Sequence, residues 1–296
     1  GGTEVGDVPG GIAARPTRWV LLLGPALVFL LVAYYYPVIS ILARSVADPI
    51  ARDHVAWENY AWLIETDVTV TVLIRTVVNA IQVVVVCLLL GYPFAYTMTR
   101  VTPRARALMV GAVLLPFWTS AVVRNYAWLV MLQQNGVINF VLTAIGLPSL
   151  SIIGSTTAIL VGESHIMLPF MVLSLYATMA TIDRRLLDAA ASLGAHPTIG
   201  FVRVYFPLTL PGIVAGSVIV FVQALGFFLT PAILGSVGSA MIAQLIVTQV
   251  GVILDWGKGG ALALVLLASI LAILGLGSLA ARPATFALVG RGVADE

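Results

Sequence analysis

Apolar residues come in long, nearly uncharged runs along this chain and do not alternate with polar ones. A helix that crosses a bilayer needs about 20 such residues, so each long run predicts a spanning helix. The runs from Trp19 to Ala43, Thr76 to Thr99, Ala107 to Leu132 and Thr156 to Ile182 predict the first four. The first ends near Tyr34, Tyr35 and Tyr36, ahead of Pro37, and aromatic rings favour the membrane interface. Val204 to Leu254 is uncharged for 51 residues. At about 1.5 Å per residue, one such helix far exceeds a hydrocarbon core of about 30 Å, so the chain must turn. Pro211 opens a helix, and Pro231, Gly235 and Gly238 break it. The fifth span is therefore predicted from Pro211 to about Leu234 and the sixth from Gly259 to Ala281. Ala240 to Gly251 is short and reads as interfacial or re-entrant.

Two polar segments interrupt the runs. Ser45 to Arg75 is polar enough for a small external cap. Residues 183–210 form the longest connection on the other side. There Asp183 can cap a helix start. Leu186, Leu187, Ala190 and Leu193 recur at helical spacing and make one apolar stripe. Gly194 suits the end of that helix. Pro197 suits the first turn of a second, with Ile199, Val202 and Phe206 apolar, and Pro207 ends it. An apolar stripe facing water is unfavourable by about 25 cal/mol per Å², so this loop needs a partner. Either it folds back onto the span ends, or it docks a cytoplasmic subunit.

Composition narrows the class. Of 296 residues, 60% are hydrophobic and 9% charged, too few charges to coat a soluble globule of this size. Soluble enzymes, nucleic-acid-binding domains and disordered chains are excluded, and a polytopic all-α membrane protein is predicted. The chain opens Gly1-Gly2 without Met, which reads as an added or a processed end. Arginine and lysine set the orientation. With the N-terminus inside, Arg15, Arg18, Arg100, Arg104, Arg106, Arg184, Arg185, Arg203, Arg282 and Arg291 fall inside. Arg44, Arg52, Arg75 and Lys258 fall outside, with Arg124 near the boundary, as the positive-inside rule requires. Six spans put both termini in the cytoplasm: a tail over 1–18, a membrane domain over 19–281 and a tail over 282–296.

Residues 183–213, DRRLLDAAASLGAHPTIGFVRVYFPLTLPGI, resemble the EAA loop of type I ABC-importer permeases, E-A-A-x3-G-x9-I-x-L-P. Asp188, Ala189, Ala190, Gly194, Val204 and Pro207 stand at those spacings, with Asp for Glu, Val for Ile and Phe206 at the Leu position. His196 replaces the Ser of many members. The stretches Leu114–Trp128, Gly136–Leu147, Leu168–Asp183 and Phe221–Gly235 are similar to spermidine/putrescine-type permeases, as are ENY at Glu58–Tyr60 and RTVVNA at Arg75–Ala80. Coverage runs from about residue 19 to 281.

The resemblance implies a type I permease fold with its core over about 72–281 and a coupling loop over 183–210. It implies a subunit that forms the path of a binding-protein-dependent importer in a bacterial inner membrane. Expected partners are a second, homologous permease, two cytoplasmic ATPases carrying ATP and Mg, and an extracytoplasmic binding protein. The expected solute is small and polar or cationic, such as a polyamine. Asp188, Ala189, Ala190, Gly194, Pro197, Val204 and Pro207 would couple to the ATPases.

The chain itself carries no catalytic chemistry that can be argued. No G-x4-G-K-[ST] loop occurs, and Gly257-Lys258 lacks the spacing. Three His and one Cys, Cys87, give no metal-ligand cluster, and basic–aromatic interleaving for nucleic acid is absent. Candidates for the substrate path are Glu163, Arg124, Tyr126, Trp128, Gln223 and Phe227. An intramembrane acid such as Glu163 marks either a functional site or a helix–helix contact, for which Arg124 is a candidate partner. His165 lies about 200° round the helix from it and suits packing or hydrogen bonding. Gln223 suits the path or polar glue between helices, and Tyr126 and Trp128 suit interface anchors. A stand-alone secondary transporter or channel using Glu163 as a cation or proton site is the alternative, and it has no need of the EAA spacing.

Overall fold

Helices make up all the regular structure among the described residues of the computed structural model, which are 16–46, 57–183 and 185–289, with side chains from 23 to 275 within those limits. In chain order they are α1 (Pro16–Val46), α2 (Glu58–Glu65), α3 (Asp67–Arg100), α4 (Pro103–Leu114), α5 (Ala121–Leu132), α6 (Val137–Ala144) and α7 (Thr156–Met179). Then follow α8 (Arg185–Ser192), α9 (Pro197–Gly200), α10 (Phe206–Leu225), α11 (Leu229–Leu234), α12 (Ile242–Thr248) and α13 (Trp256–Val289). Five stretches are long and apolar enough to cross a membrane: Leu23–Val46, Asp67–Arg100, Thr156–Met179, Pro197–Leu225 and Trp256–Gly275. A sixth arises if the bent pair Pro103–Trp118 and Ala121–Ala144 is one broken span.

Four boundaries differ from the sequence reading. α1 continues through Pro25 and Pro37 to Val46. α3 begins at Asp67, so Arg75 lies within the helix, where its Nη1 donates to Ala240 O at 3.3 Å. The third span is not straight: a 3-10 turn at Leu115–Trp118 and extended Thr119 and Ser120 produce a 98° bend. Pro116 has no N–H for a fourth-residue bond to Ala112, and the tighter turn takes its place.

The fifth span shifts toward the N-terminus. Pro207 does not end a helix; α9 passes through a π-turn at Phe201–Tyr205 directly into α10. In that turn Phe206 N–H donates to Phe201 O, and the wider winding makes room ahead of the Pro207 ring. The span then stops at Gly226, not Leu234. Pro231 would clash with the carbonyl four residues back, at Phe227, and the helix breaks there.

The core lies where α3, α7 and α10 cross. Ala80, Val83, Cys87, Met167, Met171, Leu175, Val220 and Leu225 are buried there. Small residues set the spacing. A Cβ at Gly212 would stand 2.6 Å from Thr178 Oγ1, and one at Gly216 2.8 Å from Met171 Sδ. Gly212 and Gly216 lie four apart on one face of α10, the small-x3-small pattern of close membrane helix crossings. Ser174 Oγ donates to Gly212 O across the same contact at 3.2 Å.

At the start of α13, α2, α3 and α12 pack over it through Leu63, Val72, Ile242, Ala261 and Leu262. Ser45 Oγ and Tyr60 Oη share a hydrogen bond of 2.9 Å, and Arg44 lies 5.2 Å over the Trp256 ring. Of the segment Ser45–Arg75 that the sequence read as a cap, Asp67–Arg75 belongs to the long helix α3, and the described remainder packs here through α2. Asp48, Arg52 and Asp53 lie outside the described residues, as do Arg15, Arg184, Arg291 and most of the two tails.

Candidate functional site

The 183–210 segment is built from local signals. Asp183 Oδ1 accepts from Arg185 N at 2.9 Å, opening α8. Past its end Gly194 N–H donates to Ala191 O at 2.9 Å and Ala195 N–H to Ala190 O at 3.0 Å. These paired bonds form a Schellman cap, and Gly194 at its centre has φ +82°, the left-handed conformation that favours glycine. His196 does the capping work of the Ser it replaces: its Nδ1 accepts from Thr198 N at 3.4 Å. Pro197 follows at the first position of α9, where a missing N–H costs nothing.

The apolar stripe divides between the two expected fates. Leu187 and Ala190 turn inward, 3.7 and 3.9 Å from where a Cβ on buried Gly200 would sit. Leu193 is 89% exposed, and Leu186, Ile199 and Val202 are exposed as well. Asp188, Ala189, Gly194 and Pro197 share this open face, while Val204 and Pro207 are half-buried at the junction with α10. The segment therefore folds back by one face and presents the other.

An aromatic cluster fixes it to α3, and sequence reasoning did not single that cluster out. Phe201 and Tyr205 stack with centroids 5.6 Å apart, and Tyr96 meets both edge-on at 5.6 and 5.3 Å. Tyr92 adds a further edge contact to Phe201 at 6.3 Å. The signal was present as two aromatic pairs at four-residue spacing, Tyr92 with Tyr96 and Phe201 with Tyr205.

The intramembrane candidates do not gather in one place. Glu163 is fully buried on α7 and accepts from Asn79 Nδ2 of α3 at 2.7 Å. Its partner is Asn79 and not Arg124, whose Nη2 donates to Thr119 O at 3.0 Å beside the bend. Trp128 Nε1 donates to His165 Nδ1 at 3.2 Å, tying α5 to α7. Asn125, passed over in the sequence, is buried and accepts from Thr230 Oγ1 at 2.7 Å, tying α5 to α11. Tyr126 is exposed, Gln223 is half-buried and Phe227 packs against the core. A groove of about 780 Å³ runs between α3, α10 and α13, walled by Ile81, Val85, Val214, Val218 and Phe221, and its lining includes none of these candidates.

Known proteins share this sequence and this arrangement. No family model matches the chain. The spermidine/putrescine transport system permease protein PotB of Haemophilus influenzae is 37% identical over 182 residues, covering 61% of this chain and 64% of that protein. PotB of Salmonella typhimurium is 34% identical over 211 residues, covering 71% of this chain and 73% of that protein. Among solved structures, a chain of a bacterial alginate ABC transporter in complex with an alginate pentasaccharide-bound periplasmic protein superposes with a TM-score of 0.73. That match is 19% identical and covers 90% of this chain and 96% of that one, so it shows a shared fold. With fold, loop and relatives in agreement, the chain belongs to the type I ABC-importer permeases of the spermidine/putrescine permease-like branch, whose members are transport subunits and not enzymes.

Proposed function

We propose that this permease imports a small cationic solute of the polyamine class across a bacterial inner membrane, paired with a second, homologous permease. The solute class rests on the PotB relatives, and the positive-inside asymmetry favours cytoplasmic termini. An extracytoplasmic protein delivers the solute. Two cytoplasmic ATPases, which carry the ATP and Mg, seat on the open face of α8 and α9.

The observation that carries this reading is the divided stripe. Leu187 and Ala190 are turned inward while Leu193, Asp188 and Ala189 stand exposed beside a left-handed Gly194. Leu186, Leu193, Ile199 and Val202 stand exposed together on this short segment, an apolar face that a partner would cover and that folding back alone does not account for. ATP-driven closure would move α8 and α9 as a lever, and Phe201, Tyr205 and Val204 would pass the motion into α3 and α10. This is a switch between two packings, biased by differential contacts. Arg124, Tyr126, Trp128, Gln223 and Phe227 are the proposed path residues, and Glu163 is proposed to hold α3 on α7 through Asn79.

Co-purification tests the assembly. A sister permease, an ATPase and a binding protein should come with the tagged chain, and proteoliposomes of the complex should take up labelled spermidine only with ATP inside. Spermidine uptake by this chain alone, driven by an ion gradient, would instead favour the stand-alone carrier.

A further inference from the structure

At the end of the bundle that carries the 183–210 segment, a cavity of about 130 Å³ opens between the end of α3, the end of α7 and the loop. Its walls include Thr99, Arg100, Arg106, Tyr176, Leu187 and Tyr205. Two of these are cations, and neither meets an acid within ion-pair distance among the described residues. Arg106 spends its Nε on Met98 O at 3.1 Å, at the C-terminal turn of α3. Its two Nη groups make no hydrogen bond among the described residues. Arg100 lies 4.6 Å over the Tyr96 ring, which holds its guanidinium by the face and leaves its N–H edge open.

The third group is more telling. Tyr205 is 5% exposed, and its hydroxyl is buried with no hydrogen-bond partner. Thr99, whose Oγ1 donates to Tyr96 O at 2.7 Å, is its nearest polar side chain, and it does not come within hydrogen-bond geometry of the Tyr205 hydroxyl. A buried hydroxyl without a partner is costly, and such a group is expected to meet a ligand or water. Here an O–H donor and two guanidinium edges line one small space, and no acid is among its described lining residues. Planar forked donors of this kind suit the oxygens of phosphate.

We propose that this cavity binds a phosphate-type anion, either the headgroup of an acidic phospholipid or a free phosphate. Arg100 and Arg106 supply the charge and Tyr205 the O–H donor. The walls come from several elements: Thr99 and Arg100 at the end of α3, Tyr176 near the end of α7, Arg106 on α4, Leu187 on α8, and Tyr205 in the π-turn where the 183–210 segment runs into α10. An occupant therefore joins that segment to the spans and stiffens the joint through which ATPase motion passes. Basic pockets between spanning helices at the inner face are suited to such headgroups.

The test uses the full permease complex in nanodiscs, in two arms. In the first, native mass spectrometry compares phosphatidylglycerol retained by the unsubstituted complex, by Tyr205→Phe and by Arg100→Gln. In the second, inorganic phosphate is titrated into complexes held in phosphatidylcholine alone, with melting temperature as the readout. Tyr205→Phe removes one oxygen and keeps the ring stack on Phe201, so folding is preserved. The expected result is a loss of about ten-fold in affinity for each variant in whichever arm shows binding, as for loss of a hydrogen bond to a charged group. Binding in the first arm alone identifies a lipid headgroup, and in the second a free anion. Equal retention and equal melting shifts in all three proteins, or no binding in either arm, would overturn the assignment.

Discussion

Asn79 Nδ2 donates to Glu163 Oε2 at 2.7 Å, a hydrogen bond between α3 and α7 made wholly inside the bundle. Each residue keeps one acceptor without a partner, Asn79 Oδ1 and Glu163 Oε1. The pair therefore makes one hydrogen bond and leaves two buried oxygens without a partner among the described residues. In an apolar interior that imbalance costs free energy, and it sets the direction of substitutions at both positions.

Glu163→Gln keeps an acceptor for Asn79 Nδ2 and carries a permanent amide donor in place of an acid whose donor depends on its protonation. It is expected to leave the melting temperature unchanged or raised, with uptake near the unsubstituted level. Asn79→Leu strips the carboxylate of its donor and is expected to destabilise by about 1–3 kcal/mol. The coupling between the two positions in a double-mutant cycle should be about 1 kcal/mol, as for hydrogen bonds between membrane helices. Thermal unfolding in detergent and labelled-solute uptake check both. A Glu163→Gln protein that melts normally but loses uptake would place the acid on the path.

Gly194 separates conformational strain from steric space. A Cβ there would meet nothing within 4 Å, yet the residue sits at φ +82°. Gly194→Ala is therefore expected to loosen the end of α8 by about 1 kcal/mol, through backbone strain alone. Gly194→Glu adds a bulky charge on the open face. It should insert and accumulate like the unsubstituted protein but lose solute-stimulated ATPase activity in the assembled complex. Unchanged stimulation with both variants would remove this turn from the coupling route.

The crossing of α7 and α10 is tighter than chain composition alone suggests. A Cβ at Gly212 would stand 2.6 Å from Thr178 Oγ1, 2.8 Å from Thr178 Cβ and 3.2 Å from Ser174 O. Backbone and a branched side chain cannot both yield, so Gly212→Ala should cost about 1–3 kcal/mol. Thr178→Ala in the same chain should recover only part, because its Cβ remains. Gly226→Ala, at the end of α10 with nothing within 4 Å, is the matched control and should be near neutral. Equal melting temperatures for the two alanine variants would contradict the close approach.

Spans were legible because the bilayer imposes length and polarity on a run of residues, whatever their partners. Breaks were legible less well. Pro231 and Pro207 were both read as interruptions, but a proline acts on the carbonyl four residues earlier, so the fifth span ends at Gly226. At Pro207 the π-turn supplied the room and the helix went on. The 98° bend after Pro116 depends on how α5 is received by α7 and α11, through Trp128–His165 and Asn125–Thr230. Those pairs, like Asn79 with Glu163, join positions far apart in the chain, and no local pattern announces them. The 183–210 segment was legible in detail because its signals are local: a capping Asp183, a left-handed Gly194, a Pro197 at a first turn.

Leu193 gives the most direct measure of what covers the open face. It is 89% exposed at the end of α8, and its side chain contributes little to the fold in isolation. Leu193→Asp should leave the melting temperature of the permease within about 0.5 kcal/mol of the original. Burial of a leucine against a partner is worth about 1.5–3 kcal/mol, so association with the ATPase should weaken by about ten- to a hundred-fold. Val237→Asp provides the control: Val237 is 96% exposed but follows α11, beyond the far end of α10, and its substitution should leave ATPase association intact. The two variants are compared by the ATPase-to-permease ratio after co-purification at fixed lipid and salt. Loss with Leu193→Asp and retention with Val237→Asp assigns the face to the ATPase. Equal retention would mean that the face docks elsewhere, and the divided stripe would then need a different partner.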